Sequence, residues 1–245
     1  MRPTGLICAA LDCDLDSVEA FNRWYDLEHV PPNVAMDGVM LGLRYVATPA
    51  LHALRRVDGS SPLSGGHGSF LTVYTLCAPP LEVVAAMSVL RDELYATDRM
   101  RFPADKKVVR DGGALTIVSA VSSPGLDLPP DEVPLVGHTG ILLVRRRGDE
   151  AVGTWYRNEW APTVATLAGV HGVVSLAFGG PADDQLEVVF FEGEAAHHTA
   201  AIRSAVPHHA DAEVVVEAPF ERIAPLHYPW VRELEQSDLP RTIAD

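Results

Sequence analysis

The sequence predicts an α+β protein built from two similar halves, on the basis of two observations. A helix-like segment occurs twice, as FNRWYDLEHVPPNV at 21–34 and as GTWYRNEWAPTV at 153–164. The same order of strand-like and helix-like segments also recurs on either side of a proline-rich connector. Hydrophobic residues make up 47% of the 245 residues and charged residues 21%, which is typical of a globular protein with a buried core.

The repeat has a fixed offset over its first part. Trp24 corresponds to Trp155, an offset of 131 (155 − 24), and five further identities share that offset. They are Tyr25 with Tyr156, Glu28 with Glu159, Pro31 with Pro162, Gly38 with Gly169, and Val39 with Val170. Further on, FLTVYTL from Phe70 aligns with LEVVFFE from Leu186 at an offset of 116 (186 − 70). The first half therefore carries about 15 additional residues, which lie within 48–68.

Each half has the order strand, helix, strand, strand, helix, strand. In the first half the predicted elements are 5–11, 16–29, 38–48, 69–77, 80–97 and 114–121. In the second half they are 140–145, 149–160, 170–178, 186–192, 195–205 and 212–218. Pro31 and Pro32 are expected to end the first helix, since proline removes a donor and clashes with the preceding turn.

This order predicts two ferredoxin-like units, each an antiparallel four-stranded sheet with both helices on one face. The other face of each sheet is left bare, so two sheets packed face to face would bury each other. The expected division is a first unit at 1–122, a linker at 123–134, a second unit at 135–224 and a C-terminal arm at 225–245. The linker is rich in proline, glycine and acidic residues, which is typical of an exposed connector.

The segment WYDLEHVP, followed by a glycine, a strand and Arg44-Tyr45, resembles the dimeric α+β-barrel superfamily, nearest its EthD-like branch. The resemblance covers most of each half. It implies a barrel made of two ferredoxin-like units, formed here within one chain as a tandem pseudo-dimer. A monomer would then be a complete folded unit, and assembly into a homo-oligomer stays open.

Charge and composition argue against several classes of partner. The net charge is −14, which disfavours a nucleic-acid surface because such a surface needs a basic footprint. No apolar run reaches the length of a membrane span, and the N-terminal run lacks the basic lead of a secretory signal. The three cysteines form no close pair, which favours a reducing compartment, and we expect the cytoplasm. The adjacent histidine pairs at 197–198 and 208–209 are interpreted as solvated, so no metal site is expected.

One face of the first predicted helix collects chemically active side chains. Residues three and four apart share a helix face. The residues of this face are Phe21, Trp24, Tyr25, Glu28 and His29. Asn22, Arg23 and Asp26 are predicted to point elsewhere. The face is expected to border a cleft between helix and sheet that holds a small molecule.

The second half keeps the tryptophan, tyrosine and glutamate of this face but has Trp160 in place of His29. A structural role is the simpler interpretation for the residues that recur, although Trp24 and Glu28 stay candidates for substrate contact. His29 is the functional candidate, because Trp160 is bulky enough to fill the equivalent cleft. The first half is therefore predicted to carry the function and the second to support it.

Arg44 and Tyr45 are also lost from the second half, where the offset of 131 gives serine and leucine. Neighbours on a strand point to opposite faces, so only one of the two can face the cleft. Arg44 would pair either with a substrate carboxylate or enolate or with Glu28. His67, in the glycine-rich additional segment, either reaches the pocket mouth on a lid or belongs to a mobile surface loop. Tyr74, on the strand FLTVYTL, is a further candidate for substrate contact.

The favoured function is a cofactor-independent enzyme that acts on a small hydrophobic, aromatic or polyketide-like carbonyl compound. An imidazole with a pKa near 6.5 exchanges protons at neutral pH, and an apolar cleft would strengthen its interaction with an enolate. The catalytic candidates are His29, Tyr25 and Arg44. The resemblance implies a lyase, cyclase, isomerase or cofactor-free monooxygenase. A non-catalytic binding or accessory protein is the alternative, and haem binding with His29 as axial ligand comes last.

Overall fold

A computed structural model describes residues 1–178 and 184–244. The strands are β1 (Gly5–Cys13), β2 (Val39–Val46), β3 (Arg56–Val57), β4 (Phe70–Leu76), β5 (Lys107–Ser122), β6 (Gly140–Arg147), β7 (Val170–Phe178), β8 (Asp184–Phe191) and β9 (Glu213–Arg222). The helices are α1 (Val18–Trp24), α2 (Val30–Val34), α3 (Pro49–Leu54), α4 (Pro80–Ala96), α5 (Glu150–Trp155), α6 (Ala161–Ala165), α7 (Ala195–Ala205) and α8 (Val231–Glu235). Two π-helical turns, Tyr25–His29 and Tyr156–Trp160, join α1 to α2 and α5 to α6. Short 3-10 turns lie at Leu15–Ser17, Ser64–Gly66, Ala104–Lys106 and Pro130–Leu135.

Eight antiparallel strands form a closed barrel. The first unit contributes four strands in the order β2-β4-β1-β5, and the second contributes β7-β8-β6-β9. The two sheets are hydrogen-bonded to each other along β5 and β7, and again where β2 meets β9. The predicted fold class is confirmed: the chain is an intramolecular dimeric α+β barrel of two ferredoxin-like units.

The main core fills the barrel, and the helices cover its outer surface. Along β1, Leu6, Cys8 and Ala10 belong to the interior core, whereas the alternate residues Ile7 and Ala9 face the helices of the first unit. This alternation follows from the two-residue period of a strand. Because both faces are covered, β1 is apolar almost throughout instead of alternating with polar residues.

The helix that carries His29 differs from its prediction at its C-terminal end. Pro31 and Pro32 do not end it; they lie in α2, which continues to Val34. The preceding π-helical turn accounts for this, because both prolines then fall in the first turn of a new helical segment. At that position a missing N–H removes no intrahelical hydrogen bond.

The two units share irregular features as well as regular ones. Gly38 and Gly169 follow the helices with φ of 86° and 79°, left-handed values that suit glycine. The strand after each glycine has a register shift, between Val39 and Leu41 in one unit and directly after Val170 in the other. Both glycines and both shifts obey the offset of 131.

The predicted alignment of β4 with β8 is wrong by one residue. Thr72 lies opposite Arg44 in the first unit, and Glu187 lies opposite Ser175 in the second. The structural offset is therefore 115 (187 − 72), not 116. A slip of one residue exchanges the two faces of a strand, so it decides which side chains meet the helices.

The additional segment at 48–68 forms α3 and β3. Thr48 caps α3 by accepting a hydrogen bond from the Leu51 amide at 3.4 Å. β3 pairs with β9 of the second unit, with Arg56 opposite Glu217. The segment is thus a third connection between the two units.

Two other regions differ from or extend the predictions. β5 begins seven residues earlier than predicted, at Lys107, because it pairs along the whole of β1 as far as Cys13. The C-terminal arm contains α8 and packs its Trp230 against Phe70 of the first unit, with ring centroids 5.7 Å apart. None of the helices in the described part of the chain has the length and apolar character needed to cross a membrane.

Candidate functional site

A cleft of about 570 Å³ lies in the first unit, between the outer face of its sheet and the helices α1, α2 and α4. Its apolar lining includes Ile7, Ala9, Leu11, Trp24, Met87 and Met100. Its polar lining includes Tyr25, His29, Asn33, Tyr74 and Lys107. A cavity of only about 110 Å³ lies beside Trp160 in the second unit. Trp160 itself is fully buried, so the histidine position is open in one unit and filled in the other.

His29 is held against an aromatic wall by the π-helical turn. Its ring centroid lies 4.9 Å from that of Trp24 and 4.4 Å from that of Tyr25. The Asn33 amide, one turn later, donates a 2.8 Å hydrogen bond to the His29 carbonyl oxygen and so fixes the backbone there. The buried Nδ1 of His29 has no hydrogen-bond partner among the described residues. The imidazole is thus positioned by ring packing and by its backbone, and its Nδ1 remains free to bind a ligand.

The environment of His29 keeps its imidazole neutral. Burial lowers the pKa of His29 from 6.5 to about 3, and the nearby charges of Lys107 and Arg44 lower it further in the same direction. The predicted proton exchange at neutral pH required a pKa near 6.5. The lowered pKa argues against such exchange in the free protein, because an imidazole with so low a pKa is a weak base. A neutral imidazole is, however, the form that binds a metal ion.

Tyr25 and Arg44 form a buried pair beneath this wall. The Arg44 guanidinium carbon lies 4.1 Å from the centre of the Tyr25 ring, which is cation–π geometry. Burial raises the pKa of Tyr25 to about 12, so its hydroxyl stays protonated. Arg44 Nη1 lies 3.6 Å from the Asp26 carboxylate, and its Nε and Nη2 have no hydrogen-bond partner among the described residues. Arg44 is therefore a cation that is only partly compensated.

The predicted helix face differs from the observed one at two positions. Glu28 is exposed to solvent, and Asp26 takes its place facing inward, with a side chain only 5% exposed. Asn22, also predicted to point elsewhere, is fully buried. The i→i+5 hydrogen bonding of the π-helical turn adds a residue to that turn and rotates Glu28 away from the sheet. Glu28 neither pairs with Arg44 nor lines the cleft.

The remaining predicted residues are divided among three places. Tyr74 lines the cleft, and its hydroxyl accepts a 3.4 Å hydrogen bond from Asn33 Nδ2. Tyr45 lies inside the barrel, on the face of β2 opposite to Arg44, and its hydroxyl is 2.7 Å from His138 Nε2. His67 is outside the cleft, with Nδ1 at 3.4 Å from the Asp12 carboxylate. The cleft thus brings together His29, Tyr25, Trp24 and Tyr74.

Sequence reasoning missed several polar residues of the cleft, among them Asn33 and Lys107. Asn33 corresponds to Val164 at the offset of 131, so the comparison that singled out His29 would also have found it. Lys107 lies before the predicted start of its strand, and no pattern in the sequence indicated its position. The described ranges contain no group of three or more histidine, cysteine or acidic side chains that could hold a metal ion.

No protein-family model matches the chain, and no curated protein matches it in sequence. Solved structures match it in fold. A variant of DypB from Rhodococcus jostii RHA1 in complex with heme has a TM-score of 0.53 and 8% identity, over 96% of each chain. A variant of chlorite dismutase from Candidatus Nitrospira defluvii has a TM-score of 0.52 and 10% identity, also over 96% of each chain. A suggested monooxygenase from Fusobacterium nucleatum has a TM-score of 0.52 and 8% identity, over 92% of this chain and 97% of that one. At these identities the likeness is one of fold.

Proposed function

We propose that the cleft of the first unit binds haem, with the His29 imidazole as a ligand of the iron, and that the chain is a haem-dependent oxidoreductase. The observation that carries the proposal is the neutral, packed imidazole of His29 in an apolar aromatic cleft. Its counterpart in the second unit is a fully buried tryptophan. The proposal thus assigns one haem site to the chain, in the first unit.

This proposal corrects the order of the hypotheses drawn from the sequence. A cofactor-independent enzyme came first there and haem binding last. The finding against that order is the set of fold neighbours, which includes chlorite dismutase and a DypB variant in complex with heme. The lowered pKa of His29 also makes its imidazole a weaker base than the acid/base hypothesis assumed.

The residues of the cleft fit such a group. The volume of about 570 Å³ is within the range of roughly 300–1,000 Å³ usual for small-molecule and cofactor sites. Trp24, Met87 and Met100 offer apolar contact to a flat macrocycle, and Lys107 offers a cation to its carboxylates. His29 Nδ1 has no protein partner that would compete for it.

Each residue has a physical role in this proposal. Haem, when bound, supplies redox chemistry that protein side chains lack. Burial keeps His29 in the neutral form that ligation needs, and Asn33 holds its backbone through the carbonyl oxygen. Tyr25 keeps its proton and presents a hydroxyl donor. The Arg44 guanidinium holds the Tyr25 ring in place through the cation–π contact. The helices α1, α2 and α4 form the wall of the cleft opposite the sheet.

Titration of the apoprotein with hemin tests the proposal. We expect a saturable shift of the Soret band in the wild type and quenching of tryptophan fluorescence, because Trp24 lines the cleft. His29→Ala should lose the Soret shift, and added imidazole should restore it. His197→Ala, which removes an exposed histidine of the second unit, is the matched control and should behave as the wild type. Identical spectra for the wild type and His29→Ala would overturn the proposal.

We also infer that the two units arose by duplication and fusion of one ancestral unit. The identities at the offset of 131 support this, as do the π-helical turn and the left-handed glycine that occur in both units. The EthD-like branch stays a proposal that rests on WYDLEHVP, and the division at 123–134 stays a proposal that rests on composition. Analytical ultracentrifugation of the purified chain would test whether a monomer is the functional unit.

A further inference from the structure

Two adjacent lysines at the start of β5 have opposite surroundings. Lys106 Nζ lies 2.8 Å from the Asp14 carboxylate and 3.6 Å from that of Asp16, so its charge is paired. Lys107 is partly buried, lines the cleft, and has no carboxylate within 4.0 Å among the described residues. Its Nζ lies 5.6 Å from the centre of the Trp24 ring. Lys107 therefore brings an unpaired positive charge to an apolar wall.

Arg91, another cation that lines the cleft, does not share this property. Arg91 donates hydrogen bonds of 2.9 and 2.8 Å to Asp92, and both side chains are well exposed. An unpaired, partly buried ammonium is uncommon because burial without a partner costs free energy. Burial indeed lowers the pKa of Lys107. In a chain of net charge −14, where carboxylates are plentiful, this lysine is still left without one.

We propose that Lys107 is the anchor for a carboxylate of the ligand, so that the cleft selects flat, apolar molecules that carry an anionic group. The apolar body would contact Trp24 and the neighbouring aliphatic wall, and the carboxylate would pair with Lys107 at the edge of the same cleft. The inference rests on the proposed function, since it assigns the ligand class of that site. It does not depend on iron, because an iron-free aromatic acid has the same two features.

The position of Lys107 relative to His29 supports this assignment. Both residues contact Trp24, whose ring centre lies 4.9 Å from that of His29 and 5.6 Å from Lys107 Nζ, and the Lys107 charge contributes to the lowered pKa of His29. A ligand carboxylate at Lys107 would offset that charge and leave the imidazole free to contact the centre of the ligand. The cleft would then fix a flat ligand at two points, by its centre and by its edge, which sets its orientation.

Matched probes with and without a carboxylate test the proposal. The first pair is hemin and its dimethyl ester, followed by the Soret band. The second pair is 1-pyrenebutyric acid and 1-pyrenebutanol, followed by pyrene fluorescence. In the wild type the acids should bind at least roughly tenfold more tightly than the neutral analogues, the size expected for one charge-assisted contact. Lys107→Met should remove the preference, and Lys107→Arg should keep most of it.

Lys106→Met is the control, because it removes the same charge one residue away and should leave the preference unchanged. Acid and neutral probes that bind the wild type equally would overturn the inference even if Lys107→Met failed to fold. Hemin that binds through His29 but ignores Lys107→Met would overturn the anchor and leave the haem proposal intact. Pyrenebutyric acid that binds through Lys107 while hemin does not bind would overturn the haem proposal and support the anchor.

Discussion

In each unit an arginine guanidinium packs against the ring face of the equivalent tyrosine, but the arginine comes from a different strand. In the first unit Arg44 of β2 lies 4.1 Å from the centre of the Tyr25 ring. In the second unit Arg146 of β6 lies 4.0 Å from the centre of the Tyr156 ring. The equivalent of Arg44 is Ser175, so a comparison by sequence position finds no arginine there. The contact recurs in space although its residue does not recur in sequence.

The two arginines differ in how well their charges are compensated. Arg146 is fully buried and bonds to Glu187 at 2.9 Å and to Gln185 at 2.7 Å. Ser175 donates a further hydrogen bond to Glu187. Arg44, by contrast, has Asp26 at 3.6 Å as its acidic neighbour. Two guanidinium nitrogens of each arginine lack a hydrogen-bond partner among the described residues, so the difference lies in the carboxylate, which is hydrogen-bonded to Arg146 at 2.9 Å but lies 3.6 Å from Arg44. The second unit thus has a filled interior with a close buried ion pair, whereas the first has an open cleft and a looser one.

The largest difference between the units should follow truncation of the residue at the histidine position. Trp160→Ala leaves a cavity in a closed interior and should lower the free energy of unfolding by about 3–5 kcal/mol. His29→Ala opens a cleft that is already accessible and should cost about 1 kcal/mol or less. Urea unfolding followed by circular dichroism measures both. Equal costs would contradict the distinction between a filled and an open unit.

Removal of each buried arginine should separate the units further. Arg146→Met leaves Glu187 as an unpaired buried carboxylate and should cost about 3–5 kcal/mol. Arg44→Met should cost less, because Asp26 also accepts hydrogen bonds from the C-terminal arm. The double variant Arg146→Met/Glu187→Leu should recover most of the loss, as measured by a double-mutant cycle in urea.

The pH dependence of the Arg146→Met cost provides an independent check. Burial already raises the pKa of Glu187, and loss of its cation should raise it more. Above the ordinary pKa of a glutamate, the unfolded chain has lost the Glu187 proton while the folded variant still binds it. The stability of the variant therefore falls as pH rises. The cost should therefore shrink between pH 8 and pH 5. A cost that is constant over this range would mean that Glu187 finds another partner.

Acid should destabilise the wild type through His29. The pKa of His29 is about 3 when folded and near 6.5 when unfolded, so the unfolded chain binds the proton first as pH falls. The stability that depends on neutral His29 is complete above pH 6.5 and is lost on the way to pH 3. Between pH 7 and pH 4.5 the wild type should lose about 2 kcal/mol more than His29→Gln. His52 and His138 titrate alike in both proteins, so the difference isolates His29; identical curves would refute its burial.

The smallest effect concerns the arm, which bonds to the helix of the first unit. Tyr228 donates a 2.5 Å hydrogen bond to Asp26, whose equivalent in the second unit is Arg157. Tyr228→Phe should lower the free energy of unfolding by about 1 kcal/mol. In an Asp26→Asn background the same change should cost less. An unchanged urea midpoint for Tyr228→Phe would show that the arm is held by packing alone.

Sequence reasoning found the fold because the doubled order of elements and the offset of 131 are local patterns. It placed His29 at the cleft because the second copy, with a tryptophan at that position, gives a reference for what the position needs structurally. It misplaced Glu28, since the i→i+5 bonding that rotates it away has no signature in side-chain periodicity. It missed Lys107, because the pairing of β5 along all of β1 is a long-range property. The pKa of His29 likewise depends on burial, which no spacing in the sequence encodes.

Closure of the barrel also constrains the order in which the chain can fold. Tyr45 of β2 pairs with Arg222 of β9, so the edge of β2 has no partner until β9 has been synthesised. An exposed edge of that kind is a site for pairing with other chains, and contacts between distant residues form slowly. During translation the edge of β2 would therefore stay uncovered, and pairing with β9 would end the exposure of that edge to aggregation.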